Sequence, residues 1–114
     1  MFKAVVTDLD GTLLNNDKEV SEFSKEVINK IRDKGIKFFI ATGRSYPDTK
    51  RIMETIGIKV PLITSNGARI NDENGETIYA NDLEKKYSKK ILDMDYKKYG
   101  EEIFLNLYSD NKWF

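Results

Sequence analysis

The sequence predicts an α/β fold built on a parallel sheet, and two observations carry that prediction. Short apolar or β-branched runs alternate with stretches whose apolar residues return at helical spacing, and each apolar run ends in small and polar residues. The first run, Phe2-Lys3-Ala4-Val5-Val6-Thr7, reads as a buried strand that reaches a turn at Asp8-Leu9-Asp10-Gly11. Val20, Phe23, Val27, Ile28 and Ile31 then define an apolar helix face, with Ser21 as N-cap and Gly35 as the stop. Ile36-Lys37-Phe38-Phe39-Ile40-Ala41 is the second strand and delivers Thr42-Gly43-Arg44-Ser45. Pro47 suits the first turn of a second helix, whose apolar face is Ile52, Met53 and Ile56 and whose end is Gly57. Val60-Pro61-Leu62-Ile63-Thr64 forms a third strand and delivers Ser65-Asn66-Gly67-Ala68.

Right-handed crossovers between such strands place all three polar tips on one sheet edge, where ligands of open α/β sheets gather. After the third tip the pattern changes. Asn74-Gly75 between Ile70 and Ile78 predicts a β-hairpin over residues 68–80. Leu83, Tyr87, Ile91 and Met94 predict a helix over about 83–99 with Asp82 as N-cap, and Ile103, Leu105 and Leu107 predict a strand over 103–108. A turn at Ser109-Asp110-Asn111 leads into Trp113-Phe114, read as core residues of an interrupted strand whose unpaired edge invites self-association.

Composition removes many chemistries. With 114 residues, 39% of them hydrophobic and 33% charged, the chain suits one soluble core plus a piece of another. The absence of a signal-like or membrane-length apolar segment sets the cytoplasm as the expected location and argues against a membrane partner. No cysteine and no histidine means no thiolate or imidazole ligand, no Cys nucleophile and no Ser-His-Asp triad. Lys and Arg total 19 and so do Asp and Glu, so no global field favours nucleic acid. Lys85, Lys86, Lys89, Lys90, Lys97 and Lys98 lie among Tyr87, Tyr96 and Tyr99, but interspersed acids make this a solvated helix face.

Chemistry must then come from carboxylates, hydroxyls and cations. Asp8 and Asp10, two apart on an extended segment, point the same way at about 6–7 Å spacing. A hard divalent cation such as Mg²⁺ relieves their repulsion, although an Asp-Gly step is equally a turn signal. One carboxylate is the best available nucleophile and its neighbour can serve as general acid and base. Thr42, Gly43 and Arg44 offer a hydroxyl, an open amide and a guanidinium for phosphate beside a helix N-terminus; equally, Ser45 caps that helix and Arg44 is a surface residue.

The segment Asp8-Leu9-Asp10-Gly11-Thr12-Leu13-Leu14 resembles the first motif of the haloacid dehalogenase-like hydrolase superfamily, and Ala41-Thr42-Gly43-Arg44 and Ser65-Asn66-Gly67-Ala68 resemble its Cof-like phosphatase branch. The resemblance implies a Rossmann-like core, with residues 1–81 as its N-terminal part and residues 82–114 as the beginning of an α/β cap. It implies Asp8 as the nucleophile that forms an aspartyl-phosphate and Asp10 as the acid/base. Mg²⁺ would be held by the Asp8 carboxylate and the Asp10 main-chain carbonyl. Thr42 would bind the phosphate, and Gly43, Arg44 and Asn66 would line the pocket for a small phosphorylated metabolite. A later strand-tip Lys and a second acid pair, which the family carries, have no counterpart in these residues, so the chain is expected to be an N-terminal fragment with weak Mg²⁺ binding and little turnover alone. Two alternatives use the same residues: an inactive module that binds phosphate esters, and a receiver-like signalling domain.

Overall fold

The computed structural model describes residues 1–100, 102–109 and, for the backbone alone, 112 and 113. Residues 1–80 form one compact unit and residues 81–114 a second. In the first unit β1 (Ala4–Asp8), α1 (Glu22–Asp33), β2 (Lys37–Ala41), α2 (Tyr46–Ile56) and β3 (Leu62–Thr64) alternate, followed by the hairpin of β4 (Arg69–Asn71) and β5 (Thr77–Ala80). The sheet runs in the order β1-β2-β3-β4-β5, parallel across the first three strands and antiparallel across the last three. The α/β class and the hairpin match the sequence reading.

Local chemistry sets the boundaries. Ser21 and Ser45 cap α1 and α2, their hydroxyls accepting the amides of Ser24 and Asp48, and Gly57 ends α2 at φ 77°, in the left-handed region that favours glycine. The hairpin turn is closed by the Asp72 carboxylate, which accepts the amides of Asn74 (2.9 Å) and Glu76 (2.8 Å). The core lies between α1 and α2 and the sheet face that carries Phe38, Ile40 and Leu62; Ile28, Met53, Leu9, Leu14 and Val20 complete it. Burying each such side chain contributes about 1.5–3 kcal/mol.

Phe23, read as part of the apolar face of α1, is instead 76% exposed. It lies five residues before the buried Ile28, about 140° around the helix, and so points away from the sheet. In the second unit α3 spans Lys85–Leu92 rather than 83–99, with Glu84 instead of Asp82 at the N-cap position, and a short 3₁₀ turn follows at Tyr96–Tyr99. None of its residues is buried, so no packing sustains it past Asp93, a residue disfavoured in helix interiors. The Tyr96 hydroxyl donates to the Ile91 carbonyl across this break. The strand expected over 103–108 is confined to β6 (Tyr108–Ser109), antiparallel to β7 (Lys112–Trp113). Asp110 and Asn111 of the expected turn, and Phe114, lie outside the described residues. Among the described residues no helix is long and apolar enough to cross a membrane.

Candidate active site

Strand register assembles the site. Asp8 pairs with Ala41, and Ala41 with Ile63, so the chain beyond each of the three parallel strands emerges at the same edge. β1 ends at Asp8 and runs into a wide turn over Leu9–Leu13, closed by the Leu14 amide donating to the Leu9 carbonyl (2.9 Å). Leu9 is fully buried while Asp8 is exposed and Asp10 half-buried, so the apolar side chain anchors the turn inward and leaves both acids outward. Gly11, at φ 73°, supplies the left-handed step that completes the turn.

The other two tips are stitched together through backbone. The Thr42 amide donates to the Ile63 carbonyl (2.9 Å), the Asn66 amide to the Thr42 carbonyl (3.2 Å), and the Ser65 amide to the Arg44 carbonyl (2.8 Å). Ser65 and Asn66 adopt consecutive left-handed conformations, φ 51° and 54°, which turn the chain back over the β2–α2 loop. The Asn66 side chain lies against Gly43, where a Cβ would sit 3.0 Å from Asn66 Oδ1. Thr42 is buried, and its Oγ1 accepts the Arg44 amide at 3.2 Å, leaving its hydroxyl proton to donate elsewhere.

Arg44 joins these loops to β1. Its Nε donates to Asp10 Oδ2 (2.6 Å) and its Nη2 to Asp10 Oδ1 (2.7 Å), the bidentate fork that guanidinium geometry favours. Arg44 is therefore no free surface cation, although the reading of Ser45 as N-cap also holds: its Oγ accepts the Asp48 amide and donates to Asp48 Oδ2 at 2.7 Å. A residue the sequence reading passed over completes the group. Lys18 Nζ stands 3.8 Å from Asp10 Oδ1, on a loop closed by Asn15, whose side chain accepts the amides of Asp17 and Glu19. The run Asn15-Asn16-Asp17 was the available signal, since such residues build turns through their own side chains. The hydrogen bonds from Arg44 hold the Asp10 carboxyl below its usual pKa, with the charges of Arg44 and Lys18 adding and burial opposing. Arg44 is in turn pushed up, chiefly by its bonds to Asp10.

The donor set suits a hard cation in part. Mg²⁺ takes one or two carboxylates and fills its remaining positions with water and phosphate oxygens, and Asp8 with the Asp10 main chain offers such oxygens. The Asp10 carboxylate is already engaged by Arg44, so its side chain is committed elsewhere. Among the described residues no group of three acidic side chains is placed to hold a metal.

A family model described as haloacid dehalogenase-like hydrolase matches residues 5–114. The chain belongs to the haloacid dehalogenase-like hydrolase family. That membership replaces the signalling-domain alternative. A protein of Buchnera aphidicola subsp. Baizongia pistaciae, provisionally named a phosphatase, is 43% identical over 114 residues, covering 100% of this chain and 42% of its own length. An HMP-PP phosphatase of Yersinia pestis is 31% identical over 114 residues, covering 100% of this chain and 41% of its own length. A solved haloacid dehalogenase-like hydrolase from B. subtilis superposes with a TM-score of 0.75 at 36% identity, over 80% of this chain and 32% of that one. The hydrolase chain thus spans about two fifths of the length of the curated relatives it matches.

Proposed function

We propose that the protein is a Mg²⁺-dependent phosphatase of small phosphorylated metabolites that works through an aspartyl-phosphate on Asp8. The Asp8 carboxylate attacks phosphorus and the ester bond to the leaving oxygen breaks, while the Asp10 carboxyl gives that oxygen its proton. Asp10 then takes a proton from water, whose oxygen attacks the phosphorus of the aspartyl-phosphate, releasing phosphate and restoring Asp8. Thr42, through its free hydroxyl proton, and Asn66 and the Gly43 amide hold the phosphoryl oxygens, with Arg44 beside them. The Asp8 carboxylate and the Asp10 main-chain carbonyl would hold Mg²⁺, which would supply positive charge to offset the repulsion between a phosphoryl anion and a carboxylate.

The observation that carries this reading is the convergence of Asp10, Thr42, Arg44 and Asn66, which hydrogen bonds bring together from three separate strand tips. The name of the Yersinia pestis relative, an HMP-PP phosphatase, supports a small phosphorylated substrate. The same proposal takes residues 1–81 as part of the hydrolase core and 82–114 as the start of a cap, which a boundary between compact units after Ala80 supports. It also assigns the protein to the cytoplasm and gives it self-association along an open strand edge. β6 and β7 pair only with each other among the described residues, which supports the last point. The 114 residues by themselves are expected to bind Mg²⁺ weakly, because among the described residues no group of three acidic side chains is placed to hold a metal.

The test is hydrolysis of p-nitrophenyl phosphate by the complete natural protein with and without Mg²⁺, together with mass analysis of acid-quenched protein. The expected results are Mg²⁺-dependent turnover, a phosphate adduct on the peptide containing Asp8, and loss of both in Asp8→Asn. Tight phosphate-ester binding without turnover would replace this reading with the inactive binding module, and turnover that survives Asp8→Asn would refute the assignment of the nucleophile.

A further inference from the structure

Arg44 is fixed at both ends of its residue. Its amide donates to Thr42 Oγ1, its carbonyl accepts the Ser65 amide, and its side chain spans to β1 to place two hydrogen bonds on Asp10, one on each carboxylate oxygen. Lys18 adds a second cation 3.8 Å from Oδ1. The fork fills one lone pair on each Asp10 oxygen and holds the carboxyl in the plane of the guanidinium, so turning that carboxyl toward a substrate oxygen breaks at least one of those bonds. The ligand that the site is proposed to take is itself an anion with several equivalent oxygens, which binds a guanidinium fork at least as well as a carboxylate does. Both anions therefore compete for one cation whose backbone cannot move far.

We infer that Arg44 is a positioning residue that parks Asp10 in the free enzyme and is handed to the phosphoryl group on substrate arrival, so that binding itself releases the acid/base. The inference rests on the phosphatase reading and adds a coupling that this reading does not require. The handover makes and breaks only hydrogen bonds. Asp10 loses the Nε and Nη2 donors, and the phosphoryl oxygens gain them. Lys18, at the end of a mobile four-carbon stem and 68% exposed, can stay with Asp10 and keep it from swinging into solvent. A lysine at position 44 would keep the charge and lose the fork.

The test follows the Arg44 side-chain Nε–Hε resonance by NMR in the complete natural protein while inorganic phosphate is added. In the free protein the resonance is expected to move on Asp10→Asn, which reports the ion pair. On saturation with phosphate the wild type and Asp10→Asn should converge on one position, because Asp10 no longer holds the fork in either. In steady-state kinetics with p-nitrophenyl phosphate, Arg44→Ala should raise KM more than tenfold and lower kcat by less, and Arg44→Lys should recover part of the KM. A resonance that phosphate leaves in place while hydrolysis proceeds, or a loss confined to kcat in Arg44→Ala, overturns the handover and leaves the phosphatase reading standing. Absence of both hydrolysis and phosphate binding overturns the two together.

Discussion

Replacing Leu9 by alanine tests the construction of the turn that carries Asp8 and Asp10 most directly. Leu9 lies between the two acids in sequence, is 0% exposed and packs in the core with Leu14, Val20 and Ile40. Truncating a leucine in such a place removes its transfer free energy and leaves a cavity, at a cost that ranges over about 2–5 kcal/mol. The turn is closed by a backbone hydrogen bond and cannot easily collapse into the space, so a value of about 3 kcal/mol is expected. With a urea slope of about 1.5 kcal/mol per M, the unfolding midpoint drops by about 2 M. The control is Phe23→Ala, a larger truncation at a position 76% exposed, expected to change stability by less than about 0.5 kcal/mol. Both are read by circular dichroism during urea titration. A midpoint for Leu9→Ala within a few tenths of a molar of the wild type, or a cost for Phe23→Ala as large as that of Leu9, would refute the inward placement of the turn and the orientation of α1.

Three further outcomes are expected. Gly43→Ala puts a Cβ 3.0 Å from Asn66 Oδ1, so Asn66 must shift by a few tenths of an ångström; kcat/KM should fall about tenfold in kinetic assays while the urea midpoint hardly moves. At the hairpin tip Gly75 has φ 91°, and a Cβ would lie 2.6 Å from the Tyr46 hydroxyl, so Gly75→Ala should destabilise by about 1–3 kcal/mol in the same denaturation assay. The Arg44–Asp10 pair gives a sign for pH. Asp10 has its pKa lowered in the folded state, so its contribution to stability is present above the unfolded value of about 3.8 and is lost as the pH falls through the lower folded value. Each side chain is more than a third exposed, which limits the effect to about 1 kcal/mol or less. Wild type should exceed Asp10→Asn by that margin at neutral pH, and the difference should vanish in strong acid.

Much of the first unit could be read from sequence because its signals are local. Ser21, Ser45, Pro47 and Gly57 mark helix ends through bonds to neighbouring residues, and Asn74-Gly75 marks the hairpin through backbone conformation alone. The convergence of tips was legible as topology. What was not legible depends on pairs distant in the chain or on packing. Arg44 and Asp10 are 34 residues apart, so no periodicity ties one to the other. The approach of Lys18 to Asp10 required the turn built by Asn15, and the outward face of Phe23 required knowing which side of α1 meets the sheet. In residues 82–109 apolar spacing suggested longer elements than form, because spacing predicts a helix only where something covers its apolar side.

Beyond the β1–β2 ladder, the loop after Asp8 is joined to the β2–α2 loop by the charged fork of Arg44 on Asp10, while the tips of β2 and β3 are laced to each other by three main-chain hydrogen bonds. Of the two joints, the one at Asp10 is electrostatic and yields to acid or salt, and the one between β2 and β3 does not. Whatever opens that fork loosens the loop that carries Asp10 and leaves the other two tips joined.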